Sequence, residues 1–235
     1  VLLYSYVGSG YHGLQFQPGV PTIEAILLEA IINAGLIPPN SYNSLNSINW
    51  HEASRTDVGV HAAAQVVSFR VSLPDDFKVS ELDSLIEEYL PPNSPITLWK
   101  TTTFCSMFDA QRFAEGRRYH YLMPLHAFKE PTLQHFQYVR EHYLSPFIGN
   151  KNYHNFTKRK DASNKSAYRV IWEFSLSDPF DVNGEPYVLW TIHGQSFMMN
   201  QIRKMIATVV SLSHELITIE ELEHIFTLEK WCLPI

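Results

Sequence analysis

Ala53-Ser54-Arg55-Thr56-Asp57-Val58-Gly59-Val60-His61-Ala62 is a short segment, polar at its centre, set just ahead of an alternating apolar run. An arginine two residues before an aspartate can pair with the carboxylate and keep it ionised. An ionised Asp57 on a turn, with Gly59 allowing close backbone approach, is a candidate nucleophile or base. The same residues also suit an ordinary loop, where Arg–Asp pairs and Asp-x-Gly turns are common. Downstream, Gln65 to Leu73 alternates and reads as a strand. Upstream, Leu2 to Val7 alternates as well. Between them, Ile23, Ile26, Leu27, Ala30, Ile31 and Ala34 have helical spacing, with Thr22 as N-cap and Gly35 near the end. Residues 40–49, rich in Asn and Ser, read as a loop. Ser80-Glu81-Leu82-Asp83 resembles a capping box opening a helix that ends at Pro91-Pro92.

The second half continues the mixture. Arg117 to Met123, Tyr168 to Leu176 and Tyr187 to His193 read as strands, Ser196 to Ser211 as a helix, and Thr218-Ile219-Glu220-Glu221 as the cap of a last helix through Phe226. Strands and helices mix without a strict βαβ rhythm, so an α+β chain of two similar halves is expected, divided near 101–110. No sequence repeat relates the halves.

Composition bounds the function classes. The 235 residues are 45% hydrophobic, enough for real cores. Two cysteines, Cys105 and Cys232, exclude a disulfide scaffold and a multi-cysteine zinc site. His12, His51 and His61 lack the spacing of a zinc motif, so no metal is expected. The longest apolar run falls far short of the roughly 20 residues of a membrane span, so no membrane is expected. A start at Val1 without Met and an end at Ile235 read as those of a trimmed chain, so a missing leader says little. The net charge of −6 argues against a general nucleic-acid binder. Its distribution argues otherwise. Residues 1–100 hold 4 basic and 10 acidic groups, whereas residues 112–169 hold 11 basic and 4 acidic ones, a local net of +7. Screening confines such fields to about 10 Å, so a basic surface can attract a phosphate backbone on an acidic protein.

Gly8-Ser9-Gly10-Tyr11-His12-Gly13 satisfies G-x-G-x-x-G after a strand, but no helix opens within the loop and Pro18, Gly19 and Pro21 intervene. A tightly turned loop is the better reading than a dinucleotide site. Four ordered blocks then carry a family resemblance. Arg55-Thr56-Asp57-x-Gly59-Val60 resembles the catalytic motif of TruA-type tRNA pseudouridine synthases. Tyr6-x-Gly8-x-Gly10-Tyr11-His12-Gly13-x-Gln15 is similar to that family's N-terminal strand and loop. Phe108-Asp109-Ala110-x-Arg112 with Arg117-Arg118-Tyr119-His120-Tyr121 resembles its tyrosine motif. Gly194 through Met205 resembles its late helix, nearest in kind to the eukaryotic branch, as does Tyr153-His154-Asn155-Phe156-Thr157. Val58, His61 and Asn200 depart from the eukaryotic pattern, which blurs the subfamily and its target uridines.

The resemblance implies two α/β halves with antiparallel sheets merging into a central sheet, and an active-site cleft between the halves. The halves would be 1–104, carrying the catalytic aspartate, and 105–235, carrying the tyrosine motif and late helix. It implies isomerisation of uridine to pseudouridine in tRNA, with other RNAs as further substrates, and no cofactor. Asp57 would be the nucleophile. Arg55 would help to hold the target nucleotide flipped out, Tyr119 would stack on the uracil, and Arg203 would pair with the aspartate. The chemistry asks for such parts: an aromatic platform for an unstacked base, and a pocket that excludes water and retains the freed uracil. Arg112, Arg118, Lys158, Arg159 and Lys160 are the candidate phosphate contacts. Tyr121 reads as a core aromatic, and His61 as a structural histidine rather than a base. Arg203 could otherwise be a snorkelling surface arginine. The rival readings are an inactive RNA-binding protein or tRNA chaperone of the same fold, and a glycoside hydrolase using Asp109 or Glu115 as a second acid. An intracellular location is expected, in nucleus, cytoplasm or mitochondrion. Monomer and homodimer both stay open.

Overall fold

A computed structural model describes residues 1–73, 77–158, 160–227 and 229–233. The chain forms two compact units, Val1–Glu115 and Gly116–Ile235, so the segment 105–115 lies in the first. The architecture is mixed α/β with antiparallel sheets, one in each unit.

In the first unit, β1 (Leu2–Tyr6), α1 (Ile23–Asn33), β2 (His51–Glu52), β3 (Ala62–Ser68), α2 (Leu82–Glu88), β4 (Ile96–Thr101) and α3 (Ala110–Phe113) follow in order. The sheet order is β2-β3-β1-β4. Leu2, Tyr4 and Tyr6 alternate onto the buried face of β1. Against that core lies α1, which buries Ile23, Leu27, Leu28 and Ile31, one stripe of a 3.6-residue period. Thr22 caps α1 as expected, its Oγ1 accepting from the Ala25 N–H at 3.3 Å.

Three expectations are corrected here. Residues 40–49 are not plain loop: Pro39–Asn43 and Leu45–Ile48 form 3-10 turns. The third strand starts at Ala62 and leaves the ladder after Ser68, where the Arg70 N–H bonds the Ile48 carbonyl at 2.7 Å instead. The capping box at Ser80 does not form. A 3-10 turn over Val79–Glu81 feeds α2 directly, so the incoming chain is already helical and Glu81 makes no side-chain cap.

The second unit holds β5 (Arg117–Pro124), α4 (Leu133–His142), β6 (Gly149–Asn152), β7 (Tyr168–Leu176), β8 (Phe180–Val182), β9 (Glu185–Gly194), α5 (Gln201–Ser213) and α6 (Ile219–Ile225). Its sheet order is β5-β9-β7-β6, with β8 also paired to β9. Val188, Trp190 and Ile192 place one face of β9 in the core, against Met205, Ile206 and Val209 of α5. A register shift between Ile171 and Glu173 explains why Ile171 and Phe174, three residues apart, are both buried. The last helix is capped as expected. Thr218 accepts from the Glu221 N–H at 3.2 Å while Glu221 accepts from the Thr218 N–H at 2.8 Å.

Two expectations fail in this unit. The late helix begins at Gln201, not Ser196. Asn200 sits at φ +60°, a left-handed turn that a helix cannot continue through, and the Gln201 side chain reaches back to accept from the Met198 N–H. Tyr121 is not a core aromatic, being 38% exposed. No helix among the described residues is long and apolar enough to cross a membrane.

Candidate active site

The Arg55–Val60 loop of the first unit is pinned from several directions. The Leu14 N–H donates to the Thr56 carbonyl at 3.2 Å, and the Gly59 N–H to the Tyr11 carbonyl at 3.4 Å. Thr56 Oγ1 shares a 2.7 Å hydrogen bond with the Tyr6 hydroxyl, which ties the loop to β1. On the entering side, Gln65 Nε2 donates to the Ser54 carbonyl at 3.0 Å. Within the loop, the Val60 N–H closes a turn on the Asp57 carbonyl at 3.2 Å. The backbone is therefore fixed while the Asp57 side chain stays exposed.

The glycine-rich loop is the other wall of this arrangement. A Cβ on Gly8 would lie 2.0 Å from the Val60 carbonyl oxygen, so only glycine lets the two backbones meet. Gly59 has a different reason from the close approach read from sequence. Nothing lies within 4 Å of its would-be Cβ, and what it supplies is a φ of +75°. The tightly turned reading of residues 8–13 is thus given a purpose: the loop braces the segment that carries Asp57.

Arg55 is exposed and makes no ion pair with Asp57 among the described residues. Among the described residues it makes no ion pair with Glu24 or Glu52 either, but it lines a cavity of about 310 Å³ with them; burial raises their pKa values and its charge draws them back down. The carboxylate that Arg55 was expected to serve is two residues away in sequence, but the cavity wall it shares carries two others. Arg112, on α3, is 84% exposed along its side chain. It lies 3.4 Å from Asp109, whose Oδ1 caps that helix by accepting from the Gln111 and Arg112 N–H groups. Phe104, Phe108 and Phe113 stack beside it with centroids 4.5 and 5.3 Å apart.

In the second unit, Arg118 and Tyr119 are neighbours on β5 and so point to opposite faces. Arg118 reaches across His193 of β9 to pair with Glu173 of β7 at 3.3 Å. Tyr119 is half-buried and meets Phe197 edge-on, 5.3 Å between centroids. Arg203 projects from the exposed side of α5, while its neighbour Lys204 is buried and donates to the Asn155 carbonyl at 3.3 Å. Burial lowers the Lys204 pKa. Lys158 is exposed. Lys160 is engaged with Ser166 Oγ at 2.6 Å, and Arg159 lies outside the described residues.

Residues 144–232 match the family model described as tRNA pseudouridine synthase. The Pseudouridylate synthase 1 homolog of Mus musculus is 37% identical over 225 residues, which cover 90% of this chain and 52% of that protein. The chain is similar to the tRNA pseudouridine synthase family. The Homo sapiens relative of the same name is 36% identical over 90% of this chain, and tRNA pseudouridine synthase 1 of Saccharomyces cerevisiae is 25% identical over 99% of it. The chain spans about half the length of the curated relatives it matches.

The block Tyr153–Thr157 turns out to be internal. Tyr153 and Phe156 are fully buried, and Asn155 donates to the Ile225 and Glu229 carbonyls and accepts from the Trp231 N–H. Those bonds fasten the end of the chain to the core. The sequence reading missed Glu24 and Glu52 altogether. Glu24 looks like a first-turn helix acid and Glu52 like an unremarkable loop residue. Only their shared burial beside Arg55 marks them.

Proposed function

We propose that this chain is an RNA pseudouridine synthase acting on tRNA, with Asp57 as nucleophile and Arg55, Tyr119 and Arg203 completing one catalytic set. The observation that carries the proposal is the Asp57 loop: an exposed carboxylate on a backbone pinned by Tyr6, Tyr11, Leu14 and Gln65. A covalent catalyst needs its reacting atom held in place yet open to substrate. Similarity to the family model and the names of the relatives support the activity and the tRNA substrate. The merged sheet and the cleft between the halves belong to the same reading.

The reaction breaks the C–N glycosidic bond, turns the uracil, joins it through carbon and releases the proton from that carbon. Uracil must stay bound between the two bond changes. Tyr119 serves as the face on which the flipped base stacks, worth about 1–3 kcal/mol per base, and Phe197 behind it fixes the ring's tilt. Arg55 and Arg203 supply positive charge to the flipped nucleotide and the aspartate. Nothing in this sequence of steps consumes a redox equivalent or an activated donor.

Purified chain incubated with uridine-containing tRNA is expected to yield pseudouridine, measured by nucleoside mass analysis after digestion. Binding of tRNA without any pseudouridine would favour the chaperone reading. Free uracil as the product would favour a hydrolase.

The basic stretch makes a separate prediction. Lys158→Glu is expected to weaken tRNA binding severalfold and to flatten the slope of log affinity against log salt by about 1–2 units, as a phosphate contact is lost and a repulsion added. An unchanged slope would show that Lys158 does not meet phosphate. Arg118 should contribute less than Lys158, because Glu173 already neutralises it.

A further inference from the structure

Two buried carboxylates stand behind Arg55 in the first unit, and the reaction as described does not use them. Glu24, 2% exposed, sits in the first turn of α1 and accepts a hydrogen bond from the Phe16 N–H. Glu52, 8% exposed, ends β2, and its Oε1 has no hydrogen-bond partner among the described residues. Both line the 310 Å³ cavity together with Arg55, Gln15, Trp50 and His51. The other titratable groups facing the pair are His51, itself 3.7 Å from Asp109, and the Tyr4 phenol, which packs beside Tyr6.

Two carboxylates in so little water do not both ionise cheaply. Burial pushes both pKa values up, Glu24 pushes Glu52 further, and Arg55 pulls both back. Tyr4 is held neutral by burial and by the same glutamates. Arg55 places a full positive charge on the cavity wall, and the negative charge it faces is whatever the pair retains.

We propose that Glu24 and Glu52 form a positioning pair for Arg55, holding its guanidinium in the orientation that the flipped nucleotide meets. The attraction is mutual: an arginine that draws a carboxylate toward ionisation is itself drawn to it. The pair acts through Arg55 and does not touch substrate. This rests on the reading of the Arg55–Val60 loop as catalytic.

The sign of the pH response follows from the raised pKa values. Above the pair's apparent pKa the pair is charged and Arg55 is held. As pH falls through it, the pair takes up a proton and the hold is released. That release should begin above the ordinary glutamate value of 4.5.

Two measurements on the whole chain test this. In the first, the Arg55 Nε–H resonance is followed by NMR from about pH 8 down to about pH 4. It is expected to titrate with a midpoint above 4.5 in wild type, and to shift or lose that step in Glu52→Gln. A flat resonance, or the same titration in both proteins, would overturn the pairing. In the second, Glu52→Gln is expected to lower kcat about tenfold with Arg55 present and to cost nothing further in Arg55→Ala, with KM for tRNA little changed. Equal losses in both backgrounds would mean a merely structural role, and would overturn the proposal. If Glu52→Gln does not fold, as judged by thermal melting, Glu24→Gln carries both measurements. An inactive wild type would defeat the catalytic reading, while the resonance would still decide whether the pair holds Arg55.

Discussion

Asp57→Ala is expected to abolish pseudouridine formation and to leave the fold untouched. Removing the nucleophile of a covalent mechanism costs on the order of 10⁴-fold or more in rate. Stability should hold because the Asp57 side chain is exposed and takes part in no hydrogen bond or ion pair among the described residues. The loop is fixed by its backbone and by Thr56, and alanine preserves all of those bonds. Melting temperature should match wild type to within about 0.5 kcal/mol of stability, the range of neutral surface substitutions. Binding of tRNA should change no more than severalfold. The decisive measurement is pseudouridine yield at matched enzyme and tRNA concentration, beside a melting curve. Activity that survives the substitution would remove Asp57 from the nucleophile's role.

Gly8→Ala carries the largest expected effect on stability. The added methyl would sit 2.0 Å from the Val60 oxygen and 2.7 Å from the Val60 carbonyl carbon. Both neighbours are backbone, so no side chain can rotate away. Either the loop after β1 lifts off or the Val60 end of the Asp57 turn gives way. A clash of this kind in a packed interior costs about 2–4 kcal/mol. That corresponds to a fall of about 10 °C or more in the melting point of a domain this size. Because the displaced partner is the segment carrying Asp57, kcat should fall as well, even at temperatures where the variant is folded. A Gly8→Ala protein that melts and turns over like wild type would show that the two loops do not pack as described.

Much of this was legible from residue types alone. Helix α1 is found because its apolar stripe, its Thr22 cap and its Gly35 terminator all agree. Helix α6 is found because Thr218 and Glu221 form the box that their spacing predicts. The failures have physical causes. Helix α4 escapes notice because only Phe136 and Val139 are buried in a segment otherwise full of Gln, His and Tyr. The capping box at Ser80 fails because a 3-10 turn already supplies the helical entry. The start of α5 is misplaced because Phe197 and Met198 extend an apolar pattern, while Asn200 takes a left-handed φ that residue type does not announce.

The candidate site divides in the same way. Short-range chemistry determined by the sequence itself includes the Arg55-Thr56-Asp57 motif, the tyrosine strand and the glycine loop, since each is a contiguous pattern whose meaning survives without neighbours. What tertiary structure decided are the relations between distant segments. Gly8 is needed by Val60, fifty-two positions along the numbering, because two backbones touch there. Arg55 shares a cavity wall with Glu24 and Glu52 because folding buries those carboxylates there. Burial and contact between remote residues are properties of the folded chain, and a carboxylate's charge follows its surroundings. The sequence names the loop of the proposed nucleophile, and the fold determines what holds that loop and what surrounds its arginine.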